Sequence, residues 1–123
     1  MSGAITEIAG KRAWMADAEG APIATDRDAT DILGETFGQD VRLVVIPTSR
    51  LTPAFLELKT RLAGEVLQKF VNYDRQVVIL GDVSEAVANS DALRDFVRES
   101  NRGRTVWFMP DLAALEAKLV AAC

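Results

Sequence analysis

The stretch that decides the fold runs from Phe55 to Phe108. It reads FLELKTRLAGEVLQKFVNY over 55–73, RQVVILGD over 75–82 and LRDFVRESNRGRTVWF over 93–108. In the first segment Phe55, Leu58, Leu62, Val66 and Phe70 recur at helical spacing, with Ala63, Leu67 and Val71 beside them. Thr52-Pro53 supplies a start, a hydroxyl N-cap followed by proline where its missing N–H costs nothing. The spacing predicts a helical region reaching about Tyr73, with a break near Leu58-Lys59. Gln76 to Leu80 is a continuous apolar run of the kind covered on both faces of a sheet, closed by Gly81-Asp82. Ser90 or Asp91 then caps a helix carrying Leu93, Phe96 and Val97. It ends at Asn101-Arg102-Gly103, with Gly103 suited to the left-handed C-terminal position.

Outward from this stretch the same alternation continues. Thr105 to Met109 reads as the last strand, and Pro110-Asp111 opens a final helix with Leu112, Leu115, Leu119 and Val120 inward. Upstream, Val41 to Ile46 is a buried strand, followed by the loop Pro47-Thr48-Ser49-Arg50-Leu51. Thr25 or Asp26 starts a helix whose inner face is Ala29, Ile32, Leu33, Thr36 and Phe37, stopped by Gly38. Ile5 to Ile8 and Arg12 to Ala16 form a hairpin around Gly10, and Pro22 to Ala24 is a further edge piece. The order is β-β-α-β-α-β-α-β-α. It predicts an α/β fold in one domain over residues 1–123, with a mostly parallel sheet of about five strands and about four helices. Trp14 and Trp107 fall in strand patterns and read as core or sheet-surface residues.

Composition narrows the function classes. The chain has 123 residues, 49% hydrophobic and 26% charged, enough for one globular core. The net charge is -4 and the basic residues form no block along the sequence, which argues against a nucleic-acid partner. No apolar run approaches the about 18 residues of a spanning helix, so no membrane partner is expected. The segment MSGAITEIAGKR lacks the pattern of a signal peptide, which makes the cytoplasm the expected location. Histidine is absent, which removes Ser-His-Asp and Cys-His nucleophilic machinery and most transition-metal sites. The single cysteine, Cys123, forms no intrachain disulfide and is expected to have no catalytic or folding role. No metal and no cofactor is expected.

The element order is similar to the STAS fold, the small α/β domain of anti-sigma-factor antagonists and sulphate-transporter tails. More specifically, the chain resembles a bacterial family, domain of unknown function 4180. The likeness is carried by Leu58-Lys59-Thr60, Ala63-Gly64-Glu65, Leu67-Gln68-Lys69-Phe70, Asn72-Tyr73, Gly81-Asp82, Leu93-Arg94-Asp95-Phe96 and Glu99-Ser100-Asn101-Arg102-Gly103. Asp28-Ala29-Thr30-Asp31 looks like a looser version of the acidic start of that family's first helix. The resemblance implies a fold and a small cytosolic bacterial protein, and brings no activity, substrate or catalytic residue with it. The stretch Val45-Ile46-Pro47-Thr48-Ser49-Arg50 stands where STAS antagonists accept phosphate, but it lacks their Asp-Ser-Ser-Gly type of motif.

Three constellations are candidates for function. Ligands of parallel α/β sheets bind beyond the carboxyl ends of the strands. That edge should hold Thr48, Ser49, Arg50, Asp82, Ser84 and Asp111, either as an anion or small-molecule site or as ordinary caps and loop ties. Carboxylates there also raise weak hydrolase chemistry, without a DxD or glycine-rich phosphate loop to accompany Asp82. The second constellation lies on the helix after Thr52. Glu57, Arg61, Glu65 and Lys69 would stack along one line, and Thr60, Gly64 and Gln68 along a small-residue line beside it. A glycine inside a helix costs about 1 kcal/mol relative to alanine. Close approach of another backbone is the expected compensation, from the neighbouring helix or from a second subunit. The third is polar density at two helix ends, Gln68, Asn72 and Tyr73 on one and Arg98, Glu99 and Asn101 on the next. It is expected to be a structural network or a partner patch. Together these point to a cytosolic, non-enzymatic regulatory or protein-interaction module, with a homodimer as one partner class. The alternative is an anion- or small-molecule-binding domain at the carboxyl edge.

Overall fold

The computed structural model describes residues 3–122, so Cys123 and the expectation attached to it lie outside the described residues. Strands β1 (Gly3–Ile8) and β2 (Lys11–Ala16) form an antiparallel hairpin in which Ile8 faces Lys11. Its two turn residues, Ala9 and Gly10, have φ of 50° and 80°. A two-residue turn with both φ values positive matches the right-handed twist of the strands it joins. Strands β3 (Leu43–Pro47), β4 (Gln76–Leu80) and β5 (Val106–Met109) then add in parallel, giving the order β1-β2-β3-β4-β5.

Among the described residues six α-helices accompany the sheet: α1 (Asp26–Thr36), α2 (Pro53–Leu56), α3 (Leu62–Asn72), α4 (Ser84–Ala88), α5 (Asp91–Arg102) and α6 (Leu112–Ala122). The four long ones are those the periodicity predicts, whereas α2 and α4 are one-turn additions. The predicted break after Thr52 is complete. Residues Leu58–Thr60 form a 3-10 turn and Arg61 takes a left-handed conformation, φ 65°. The Thr60 hydroxyl lies 2.7 Å from the Ala54 carbonyl and 2.8 Å from that of Glu57, and accepts the Leu62 N–H at 3.3 Å. A side chain that bonds locally to backbone competes with helix continuation. The lines Glu57-Arg61-Glu65-Lys69 and Thr60-Gly64-Gln68 are therefore not helix faces. Lys69 turns instead to Asp26 and Thr30 of α1, at 3.4 and 3.2 Å.

Every crossover steps one strand further in the same direction. Right-handed connections then place the connecting helices on one face of the sheet. Beneath them Trp14, Val44, Ile46, Val77, Ile79 and Phe108 meet Ile32 and Leu33 of α1, Phe55 of α2, and Val66 and Phe70 of α3. The opposite face, Ala13, Leu43, Val45, Val78, Trp107 and Met109, receives Leu115 and Leu119 of α6. Both tryptophans are core residues.

Three side-chain placements and one backbone conformation differ from expectation. Phe37, at the extended residue that ends α1, is 52% exposed because the chain leaves the helical path there. Leu112 and Val120 are also exposed, at 43% and 65%. Helix α6 lies alone on its face, so only a narrow stripe of it is covered. Gly103 follows α5 with φ −84°, an extended residue rather than a left-handed one.

Candidate functional site

The parallel strands β2 to β5 give the sheet two unlike edges. At the carboxyl edge the hydroxyls, guanidinium and carboxylates singled out in the sequence are engaged within the chain. Ser49 Oγ donates to the Ala18 carbonyl at 2.7 Å. The Arg50 side chain is 3% exposed. Its Nε donates to the Ala21 carbonyl at 2.6 Å and an Nη to the Asp17 carbonyl at 3.0 Å. The Ile23 N–H bonds the Arg50 carbonyl at 2.7 Å, and Ile23 forms an isolated bridge with Leu51, all that remains of the edge piece over Pro22 to Ala24. Ser49 and Arg50 thus hold loop 17–23 against the sheet. Gly20 fits against the Arg50 guanidinium, where a side chain would overlap it. Gly81, at φ 146°, fits against the Thr48 side chain in the same way.

The carboxylates at this edge act locally. Asp82 Oδ1 accepts the Ser84 N–H at 2.8 Å, and hydrogen bonds from the Ser84 hydroxyl and N–H hold the Asp82 carboxyl below its usual pKa. Asp111 Oδ1 caps α6 by accepting the Ala114 N–H at 2.8 Å, and Ser90 Oγ caps α5 through Leu93 N–H at 3.1 Å. The edge brings Ser49 and Arg50 together around the 17–23 loop, sets Thr48 against Gly81, joins Asp82 to Ser84 in one turn and leaves Asp111 apart as the cap of α6.

The residues of the second and third constellations are likewise separated. Gln68 Nε2 donates to Asn72 Oδ1 at 2.8 Å within α3. Asn101 instead clasps Phe108 within the last strand, its amide bonding both the N–H (2.7 Å) and the carbonyl (3.3 Å), while Glu99 pairs with Arg102 at 3.2 Å. Among the described residues no hydrogen bond joins the two helix ends, because α3 packs on α1 and α5 on β5. Around Gly64 there is open space, with nothing within 4 Å of a methyl group built there. The close approach expected from the neighbouring helix is absent.

The amino edge carries an open cavity of about 570 Å³, lined by Lys11, Arg12, Arg42, Arg75 and Arg104, with Asp40, Asp74, Leu43, Val71, Gln76 and Thr105. Local structure aims these side chains. Helix α3 ends in a Schellman motif, with Arg75 N–H bonding the Phe70 carbonyl (2.9 Å), Asp74 N–H that of Val71 (3.0 Å), and Asp74 left-handed at φ 61°. Arg75 is thereby fixed at the cavity wall. Its Nε donates to the buried Thr36 hydroxyl at 3.0 Å, an Nη donates to the Tyr73 carbonyl at 2.9 Å, and the guanidinium lies 5.3 Å from the Phe37 ring centre. Arg42 pairs with Asp74 at 2.7 Å, an exposed pair worth little in itself. Arg12 Nε donates to the Gln39 carbonyl at 2.9 Å. The side chains of Lys11 and Arg104 are exposed and make no ion pair or hydrogen bond among the described residues.

Helices α1, α3 and α5 all end at this edge, since each runs back from the carboxyl ends of the strands. Their C-termini carry partial negative charge, which favours basic residues nearby. Five around one cavity against two carboxylates leave it cationic. Sequence reading missed this site. The signal was present: a basic residue stands at the entry to each parallel strand, as KRAWMA, RLVVIP, RQVVIL and RTVWFM. The topology puts all four entries on one edge. Among the described residues no group of three or more Asp, Glu, His or Cys is placed to hold a metal ion, and no helix is long and apolar enough to cross a membrane.

These features define a mixed five-stranded α/β domain with a filled carboxyl edge and an open, cationic amino edge. The chain belongs to the family described as Domain of unknown function (DUF4180), whose model matches residues 8–119. No curated protein and no solved structure matches it.

Proposed function

We propose that the domain is a small, cytosolic, non-enzymatic binding module with STAS-like wiring, and that its ligand is an anion seated at the amino edge. One observation supports this above the rest. In a chain of net charge -4 with 14 Lys and Arg, five of them line the same cavity. Clustering like charges costs free energy unless an opposite charge joins them, and a concave site strengthens the attraction by restricting water. The anion-binding alternative raised by the sequence is thus retained and moved from Thr48, Ser49 and Arg50 to the opposite edge. Calorimetric titration with inorganic phosphate and pyrophosphate at fixed ionic strength tests it. Binding should weaken at least tenfold in an Arg42→Gln/Arg104→Gln variant and stay unchanged in Arg27→Gln, whose side chain lies outside the cavity. Equal binding by both variants, or none by the native protein, removes the proposal.

A second reading, a regulatory protein-interaction module, is favoured by the exposed aromatic pair beside Arg75. Phe37 and Tyr73 are 52% and 53% exposed, with ring centres 5.9 Å apart. On that reading the partner, a second copy included, docks on the pair. Phe37→Ser/Tyr73→Ser should then abolish its binding while leaving phosphate binding intact.

A further inference from the structure

The cationic cavity does not end at its charged walls. A second cavity of about 200 Å³ adjoins it, lined by Lys11, Gln76, Arg104, Trp107, Leu119 and Ala122. The first three of these also line the cationic cavity, so the two share a wall. The remaining three are apolar and come from the opposite face of the sheet, where the last turn of α6 passes over the start of β5. Trp107 and Leu119 are core residues, and Ala122 stands at the lip. The wall is fixed. The indole N–H of Trp107 donates to the Gly103 carbonyl at 2.8 Å, and Lys118 Nζ lies 4.8 Å from the ring centre while donating to the Asn101 carbonyl at 3.0 Å.

We infer that the ligand is an amphipathic organic anion: a doubly charged head, of phosphomonoester type, among the cations, joined to an apolar group about the size of one ring in the niche formed by Trp107, Leu119 and Ala122. The inference rests on the anion-binding reading and adds its chemical class. Size bounds the apolar part at one ring, because an apolar cavity of about 150 Å³ holds benzene and only the side of the about 200 Å³ space formed by Trp107, Leu119 and Ala122 is apolar. Charge sets the head, because a phosphomonoester carries about two negative charges at neutral pH and matches an excess of guanidinium forks. Lys11 and Arg104 stand where head and ring would join, with Gln76 between the two spaces as a neutral donor and acceptor.

Phenyl phosphate is the probe, compared with inorganic phosphate and with phenol by calorimetry on the native chain. Phenyl phosphate should bind at least tenfold more tightly than inorganic phosphate, and phenol alone should not bind measurably. Ala122→Phe, a change at an exposed residue that fills the niche, should bring the ratio close to one. In nitrogen–proton correlation spectra phenyl phosphate should move the indole signal of Trp107 and leave that of Trp14, on the other face of the sheet, in place. Equal affinity for phenyl and inorganic phosphate, or a ratio unchanged by Ala122→Phe, overturns the amphipathic class and leaves the anion site standing. If neither phosphate binds, the anion-binding reading falls and this inference falls with it.

Discussion

The two edges of the sheet contain similar side chains and use them in opposite ways. At the carboxyl edge Ser49 and Arg50 bond carbonyls of loop 17–23, and Thr48 packs against Gly81. At the amino edge Lys11 and Arg104 meet no partner among the described residues, and Arg42 reaches only an exposed aspartate. Parallel α/β sheets usually bind ligands at the carboxyl edge, where loops are free to diverge. Here a long loop between β2 and α1 fills that position, and buried carbonyls need donors wherever they occur. A polar residue near a strand end is therefore a tie or a site according to whether a neighbouring backbone claims it. The contrast predicts that mutations at the carboxyl edge change stability, and mutations at the amino edge change binding.

The largest effect should come from Arg50→Ala. It strands two carbonyls of the 17–23 loop and empties the space beside Gly20, for an expected loss of about 3 kcal/mol in urea unfolding. Arg50→Lys should recover only part, since an ammonium cannot reproduce the planar fork. A loss under about 1 kcal/mol would mean that the carboxyl edge is not held by this residue. Next is Gly81→Ala, which adds a methyl at φ 146° against Thr48 and should cost about 1–3 kcal/mol. If the variant melts with the native protein, the packing of Thr48 on Gly81 is looser than described.

Gly64→Ala should act in the other direction. The methyl enters open space on α3, and removal of the glycine should stabilise the fold by up to about 1 kcal/mol, seen as a higher melting temperature. Only a weaker self-association in the same variant, read by sedentation equilibrium or light scattering, would bring back a second subunit at Gly64. At the amino edge Lys11→Gln and Arg104→Gln should each change stability by less than about 0.5 kcal/mol, being exposed and unpaired, while weakening anion binding. A large loss of stability in either would turn the proposed site into a structural one.

The smallest effect concerns Asp82. Its exposed carboxylate has a folded-state pKa below the unfolded value because Ser84 donates to it. The sign follows from that depression. The stabilisation is present above the unfolded pKa of about 4 and is lost as pH falls through the lower folded-state pKa. Native protein should therefore exceed Asp82→Asn in stability at pH 7, with the gap closing in acid. A gap that persists unchanged at pH 2 would show that Asp82 acts through something other than its charge.

Residue spacing alone pointed to an α/β fold with a five-stranded, mostly parallel sheet and to the places of the four long helices, but not to the short helices α2 and α4. Those features depend on local rules: which positions are apolar at period two or near four, where a hydroxyl caps, where glycine or proline interrupts. The caps at Ser90 and Asp111 and the loop tie at Asp82 were legible for the same reason, since donor and acceptor lie within three residues. Tertiary structure decided everything that joins distant residues. Arg50 meets carbonyls about thirty positions upstream, so a side chain that read as an anion ligand became a buried tie. Arg61 turned left-handed once Thr60 bonded back to Ala54, which dissolved the helical lines drawn through it. The basic residues, scattered along the chain as Lys11, Arg12, Arg42, Arg75 and Arg104, became one cavity. Parallel strands place all their starting ends on one edge, whatever their separation in sequence, and charge summed over that edge is a property of the fold.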